Sequence, residues 1–556
     1  MTPEFTAEEC SVLARHFSNL DSAVYTLTDL PDVTKAALFA RYSRSPKSLR
    51  RLFLDEFIAR GDAGAAGGSE EGIARSEALF SRVLADYGDD SVAQLAGVHV
   101  ALEGISNLAT KAVERPRLAA YLEQSTRYIP YDYRDALGRY RYVRPPELEG
   151  SALARFEEEM DSLFDAYSTL TARVSDRLFA ASGGVESLPS AMRATLRAFA
   201  LDATRGMLPA ATASNVGIFA SAQSLEQLVL HLAAHPLGEM RVLGDRLQRE
   251  LELAIPSMVS RLSRPERREP WVEYLRATRH SLAPQARRIA AAHAGIDGGI
   301  YGGSSVQLAG ALGSSVGLVD WDTDAERRIA AAILVEALGL DAVEARELAT
   351  SLEESELDDL WTEYCGERDN RRHRPGRAFE RTRYHFSVVA DYGAFRDLQR
   401  HRMLSISWGN LGCEMGYFAS PKLNEDETSA YASSLERVAD YHRRLAESHG
   451  DAVASYAVPM AFRIRFDMEL NAREAMHLIE LRSAPQGHES YREVAQLMYE
   501  AIAEGAGHRR ISGSMSHVDM SAAESGRLAS IERQENKKSG PSEGSSLGGA
   551  SDVLGR

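Results

Sequence analysis

Between residues 295 and 317 the chain reads GIDGGIYGGSSVQLAGALGSSVG, and this glycine- and serine-dense run divides it into two long stretches. Such a run suits a flexible connection, since glycine leaves the backbone free and neither residue type fills a core. It lacks the Gly-Lys-Ser/Thr ending of a phosphate loop and any clean dinucleotide fingerprint, so a linker is favoured over a nucleotide cradle. The chain has 556 residues, 44% of them hydrophobic and 26% charged. That is too long for one ordinary core and apolar enough for two. We therefore expect one unit over 1–275, a linker over 276–314, a second unit over 315–536, and a disordered Gly/Ser-rich tail over 537–556.

Apolar residues recur at helical spacing over Glu70 to Val113, Ala152 to Ala181 and Ser224 to Leu262, which makes the first half mostly helical. The second half opens with an apolar run at Val316 to Val319 and a helix from about Asp324, whose acidic start suits the helix dipole. Strands are expected at Tyr384 to Val389 and Ala461 to Phe466. Net charge is −16, which excludes a general phosphate-backbone binder and makes any anion site local. Cys10, Cys365 and Cys413 are too scattered for a cysteine metal site and odd in number for a disulfide framework. No apolar run approaches the ~20 residues that span a bilayer, and the N-terminus is not of signal-peptide type. A cytoplasmic protein without nucleic-acid or membrane partners, and without a metal, is the expectation.

Three polar clusters stand out. Arg400, His401 and Arg402 close the segment DYGAFRDLQRHR. Three such groups in succession are costly to bury, so they are either a solvated helix end or a grip on a phosphate or a polar ring. Asn471, Arg473, His477 and Arg482 lie in ELNAREAMHLIELR; eleven residues separate Asn471 from Arg482, which returns them to nearly one helix side. Ala472, Ala475, Met476 and Ile479 form the opposing apolar stripe. The segment ERPRLAAYLEQSTRYIP carries Arg115, Arg117, Glu123, Gln124, Ser125, Arg127 and Tyr128. It is either an ordinary charged turn or a loop whose hydroxyl and guanidinium hold a phosphate while its carboxylate meets a sugar.

Taken in order, these motifs resemble the flavin-dependent thymidylate synthases, whose signature runs Arg-His-Arg, a serine, then a Glu-x-Ser-x-Arg-Tyr loop. The second half keeps Arg400-His401-Arg402, the Asn471-Ala472-Arg473 helix start, His477 and Arg482, but reads Trp408-Gly409-Asn410-Leu411-Gly412 where the loop belongs, and has Ser455 at the phosphate-arginine position. The first half keeps the loop from Glu123 to Tyr128 and places Arg205 three residues before Leu208-Pro209. It has Pro116 for the histidine, Ser221 and Gln223 for the asparagine and arginine, and Leu232 opposite Arg482. Glu380 precedes Arg400 by the interval of the family's flavin-contacting glutamate. Asp397 departs from the pattern, which has glutamine there.

The resemblance implies an α+β, helix-rich chain of two tandem copies of that fold, with helices packed on a mixed β-sheet. It implies one composite site. Arg400, His401, Arg402, Glu380, Asn471, Arg473 and His477 would bind FAD. Glu123, Gln124, Ser125, Arg127, Arg205 and Arg482 would bind dUMP, with Arg482 also catalytic. The reaction implied is methylation of dUMP to dTMP with methylenetetrahydrofolate and NADPH, by a homodimer in a pseudo-tetrameric arrangement. The alternatives are a flavoenzyme acting on another pyrimidine nucleotide and an inactive nucleotide-binding protein.

Overall fold

A computed structural model describes residues 5–43, 45–58, 94–292 and 306–521. The expected tail at 537–556, the glycine-rich residues 295–305 and the helical pattern over 70–93 lie outside them.

The two halves repeat one order of elements. The first runs β1 (Gly97–Ser106), α1 (Asn107–Val113), β2 (Ala119–Glu123), α2 (Gly150–Ala181), β3 (Ala213–Ser221) and α3 (Ala222–Ala233). After β4 (Val306–Ala309) and β5 (Ser315–Trp321), the second runs β6 (Tyr384–Asp391), α4 (Tyr392–Leu398), β7 (Ser405–Trp408), α5 (Glu425–His449), β8 (Arg463–Leu470) and α6 (Ala472–Arg482). The sheets are ordered β1-β3-β2 and β4-β5-β6-β8-β7, so β6-β8-β7 repeats β1-β3-β2. The helix-rich α+β class holds. The sheets are antiparallel in every pairing between these strands, not mixed. The reason is the strand order: β1 and β2 each run against the central β3 and are held apart by it, so no parallel ladder forms.

The strands follow from period-two alternation. In β8, Ile464, Phe466, Met468 and Leu470 are buried, while Arg463, Arg465, Asp467 and Glu469 turn outward. Gly97–Ser106 is a strand although it lies in the stretch expected to be helical. Its β-branched Val98, Val100 and Ile105 suit a pleated surface, and β3 supplies the ladder. A helix over Pro265–Ala292 crosses residue 275, and β4 lies inside the stretch 276–314.

One apolar core runs through both halves, from Phe156 and Leu163 on α2 to Leu435 and Val438 on α5. The backbones also join directly: Ala210 N donates to Val458 O at 2.8 Å, and Met460 N to Leu208 O at 2.9 Å. Ala461 N donates to Gly206 O at 2.8 Å, and a Cβ on Gly206 would collide with the Tyr431 hydroxyl and lie 3.0 Å from Ala461 Cβ. Only glycine permits that approach. A smaller separate core around Leu13, Phe17, Leu38 and Phe53 gathers residues 5–58. No described helix is long and apolar enough to cross a membrane.

Candidate functional site

Asn471 opens α6 as its cap, its side chain accepting from Glu474 N at 2.9 Å. Ala472, Ala475, Met476 and Ile479 are buried as the expected stripe. Seating that stripe in the core leaves Glu474, His477, Leu481 and Arg482 on a cavity of about 730 Å³. Arg400, His401 and Arg402, just past α4, line it too, as do Arg374 from a preceding loop and Arg117, Ala119, Ala120 and Phe219 from the first half. Arg117 also ties the halves together, donating to Leu404 O at 3.1 Å and Ser405 Oγ at 3.1 Å.

The hydrogen bonds fix the state of His401. Arg482 Nε donates to its Nε2 at 3.0 Å, and an arginine donates only, so the ring proton sits on Nδ1, 3.0 Å from Glu474 Oε1. Burial first, then Arg482 and His477, push His401 well below the usual imidazole range. His477 Nδ1 accepts from Arg374 Nη2 at 2.9 Å, and burial together with Arg374 pushes it down to about 4. Both rings are neutral at pH 7. Burial raises the Glu474 carboxyl to about 7 against the opposing pull of Arg374 and Arg473. His401, Glu474 and His477 offer ligand atoms within 4.8 Å of one another. Each ring already accepts from a guanidinium, however, and such a cationic surround repels a metal ion.

A second space, of about 100 Å³, adjoins the first through Arg400, which lines both. It is enclosed by Glu123, Gln124, Ser125, Thr126, Arg127, Arg205, Arg396 and Asp397. Glu123 ends β2 and is bound by Arg396 Nη2 at 2.6 Å and Lys111 Nζ at 3.3 Å. Burial alone would raise its carboxyl, but Arg396 and Lys111 outweigh that and hold it far down. Asp397 is likewise held well below its ordinary value: burial opposes ionisation, and Arg400, Arg482 and Arg205 overcome it. Arg482 Nη2 donates to Asp397 O at 2.6 Å, and Arg400 pairs with the Asp397 carboxylate. Arg127 is braced by Asp202 at 2.9 Å and the Tyr491 hydroxyl at 3.2 Å. Arg205 Nη2 and Arg400 Nε are buried without a hydrogen-bond partner among the described residues. Orphaned buried guanidinium N–H groups call for an acceptor that the described residues do not supply.

Of the residues singled out in the sequence, Arg400, His401, Arg402, His477 and Arg482 meet in the larger cavity. Glu123, Gln124, Ser125, Arg127 and Arg205 meet in the smaller. Glu380, Asn471 and Arg473 line neither. Arg473 donates to Pro375 O at 3.0 Å and to Glu380 Oε1 at 3.3 Å, so Arg473 and Glu380 fasten residues 375–380 to the start of α6, which Asn471 caps. Arg374, Glu474, Arg396 and Lys111 were not picked out. Arg396 had a signal, standing one helical turn before Arg400; Arg374 sits in an arginine-rich loop with no spacing to single it out.

The model of the family described as thymidylate synthase complementing protein matches this chain twice, over residues 32–257 and 317–506. A UPF0159 protein of Chlamydia muridarum is 34% identical over 546 residues, 96% of this chain and 98% of its own. A flavin-dependent thymidylate synthase of Mycobacterium sp. (strain KMS) is 30% identical over 187 residues, 33% of this chain and 69% of its own. Among solved structures, the UMP/dUMP methylase PolB from Streptomyces cacaoi bound with 5-Br dUMP aligns at 20% identity. That alignment covers 37% of this chain and 97% of that one, with a TM-score of 0.28. The double match makes the repeated element order a repeat in sequence as well.

Proposed function

This chain belongs to the thymidylate synthase complementing protein family, and on that premise we propose that it methylates dUMP to dTMP at one composite site per chain, using a bound flavin. The observation that carries the reading is that Arg205 of one half and Arg400 of the other line one small space, each with one buried N–H that has no hydrogen-bond partner among the described residues.

In this reading Arg205, Ser125 and Arg127 take the nucleotide phosphate, with charge-assisted hydrogen bonds replacing its water. Glu123 and Gln124 face the sugar and base. Arg482, held by His401 and Asp397, is fixed where negative charge grows on the base as the ring is attacked, and stabilises it without reorganising. The larger cavity suits a flavin dinucleotide on its donor set: five arginines, Arg117, Arg374, Arg400, Arg402 and Arg482, surround two neutral histidines and a single carboxyl. FAD bound there supplies the hydride, with NADPH as its reductant and methylenetetrahydrofolate as the carbon source. His401 offers no proton to that cavity, since its Nδ1–H is spent on Glu474 and its Nε2 on Arg482. Two fused copies stand in for two subunits of a homotetramer, so the assembly proposed is a dimer of this chain. Light scattering at twice the chain mass of 61.0 kDa tests it, and a monomer contradicts it.

The test of function is the visible spectrum of the purified protein during a dUMP titration. Flavin bands that shift with dUMP, and fail to shift in Arg205→Ala, support the composite site. A protein that takes up no added FAD refutes it.

A further inference from the structure

A further cavity, of about 550 Å³, opens along the same seam. Its walls are the counterparts of the site already described. Arg115 and Pro116 stand for Arg400 and His401, Leu232 for Arg482, Trp408 to Leu411 for the Glu123 loop, and Ser455 for Arg205. The grips for phosphate and sugar are gone. Ser455 Oγ donates inward, to Asp451 O at 2.9 Å and Leu411 O at 3.2 Å, so its hydroxyl proton serves the fold.

What replaces those grips has a chemistry of its own. Leu228, Leu232, Leu237 and Met240 give the cavity an apolar wall, and the Trp408 indole stands half-buried in it. No carboxylate among the described residues lines it. Of its cations, Lys111 is already committed to Glu114 and Glu123. Arg115 has no ion-pair partner among the described residues, and its guanidinium carbon lies 5.5 Å from the centre of the Trp408 ring. His235 Nδ1 accepts from Leu237 N at 3.1 Å. An aromatic plate on an aliphatic wall, with a guanidinium over it and the nearest carboxylates, Glu114 and Glu123, paired to Lys111, selects a flat ring that carries an anionic group. The volume is that of an ordinary small-molecule site.

We propose that this cavity is a second ligand site, taking a planar aromatic anion that carries no phosphate, with its ring against Trp408 and its acidic group toward Arg115. Apart from Lys111, which also binds Glu123, the site is separate in its residues from the one assigned to nucleotide and flavin, and its test does not depend on that assignment.

The probe is naphthalene-2-carboxylate, titrated calorimetrically into the full chain. Saturable binding at one equivalent per chain is expected. Arg115→Glu should weaken it at least tenfold, Trp408→Leu at least fivefold, and the neutral naphthalene-2-carboxamide should bind at least tenfold more weakly. Arg402→Ala and Arg205→Ala, which alter the other cavities, should leave it unchanged. Trp408 packs on Phe395 at 5.1 Å, so its replacement disturbs the sheet as well. Arg115 is exposed, and its reversal leaves the core intact, so Arg115→Glu is the deciding variant. No saturable binding to the unaltered chain, wild-type affinity in Arg115→Glu, or loss of binding in Arg402→Ala would each overturn the proposal.

Discussion

The two halves agree in what folds them and differ in what is charged. Asn471 caps α6 by accepting from Glu474 N; Ser221 caps α3 by accepting from Ser224 N. Leu208 O receives Met460 N while Val458 O receives Ala210 N, a reciprocal exchange across the seam. Yet Arg482, bound to His401 and Asp397, has Leu232 as its counterpart, 2% exposed in the core. Physics separates these cases. A cap or a central backbone bond is needed by either half to fold, whereas a buried ionic network is replaced cheaply only as a whole, since losing one member strands a buried charge. Loss of the histidine, the arginine and the loop together in one site is what that rule predicts.

The comparison breaks first at Arg205 and Ser455. Arg205→Ala should weaken dUMP binding by about 100-fold, roughly the 2–5 kcal/mol of a buried charged contact, while Ser455→Ala should change it less than about twofold; calorimetric titration reads both. Next comes Glu123→Gln, which takes the ion-pair partner from Arg396 and leaves Lys111 with Glu114 alone, and should cost about 3 kcal/mol in denaturant unfolding. Because the Glu123 carboxyl is held down, its stabilisation is complete above the ordinary carboxylate pKa of about 4.3 and fades as pH falls below that. The gap between variant and parent should therefore close on acidification. Glu474 has the opposite sign. Its carboxyl is raised to about 7, so it destabilises the fold progressively as pH rises from about 4.3 to 7 and fully above. Glu474→Gln should match the parent in Tm near pH 4 and exceed it at pH 8, with the amide oxygen still accepting from His401. The smallest effect expected is at Glu380, which lines neither cavity: Glu380→Gln should change flavin affinity less than about threefold, and a larger loss would make it a direct contact.

Much of this was legible in the sequence because it rests on local rules. The β8 alternation, the Asp324 start of the helix over Ala325–Leu338, the α6 stripe and the two complementary motif sets are all periodicities or short runs. Three things were not. Gly97–Ser106 reads as helix by spacing, and only its partner β3 makes it a strand. The expected linker shares its residues with a helix and with β4, whose place in a sheet depends on a pairing between distant segments. In the site, Glu380, Asn471 and Arg473 carry the motif yet line neither cavity, while Glu474 and Arg396 are held by partners 73 and 273 residues away. Sequence spacing holds no record of such contacts.

The central claim is that each chain carries one nucleotide site built from both halves. Calorimetric titration of dUMP into the flavin-loaded protein tests it most directly. The account predicts one equivalent bound per chain, weakened by about 100-fold separately by Arg205→Ala in the first half and by Arg400→Ala in the second. Two equivalents per chain, or full binding in either variant, would contradict it.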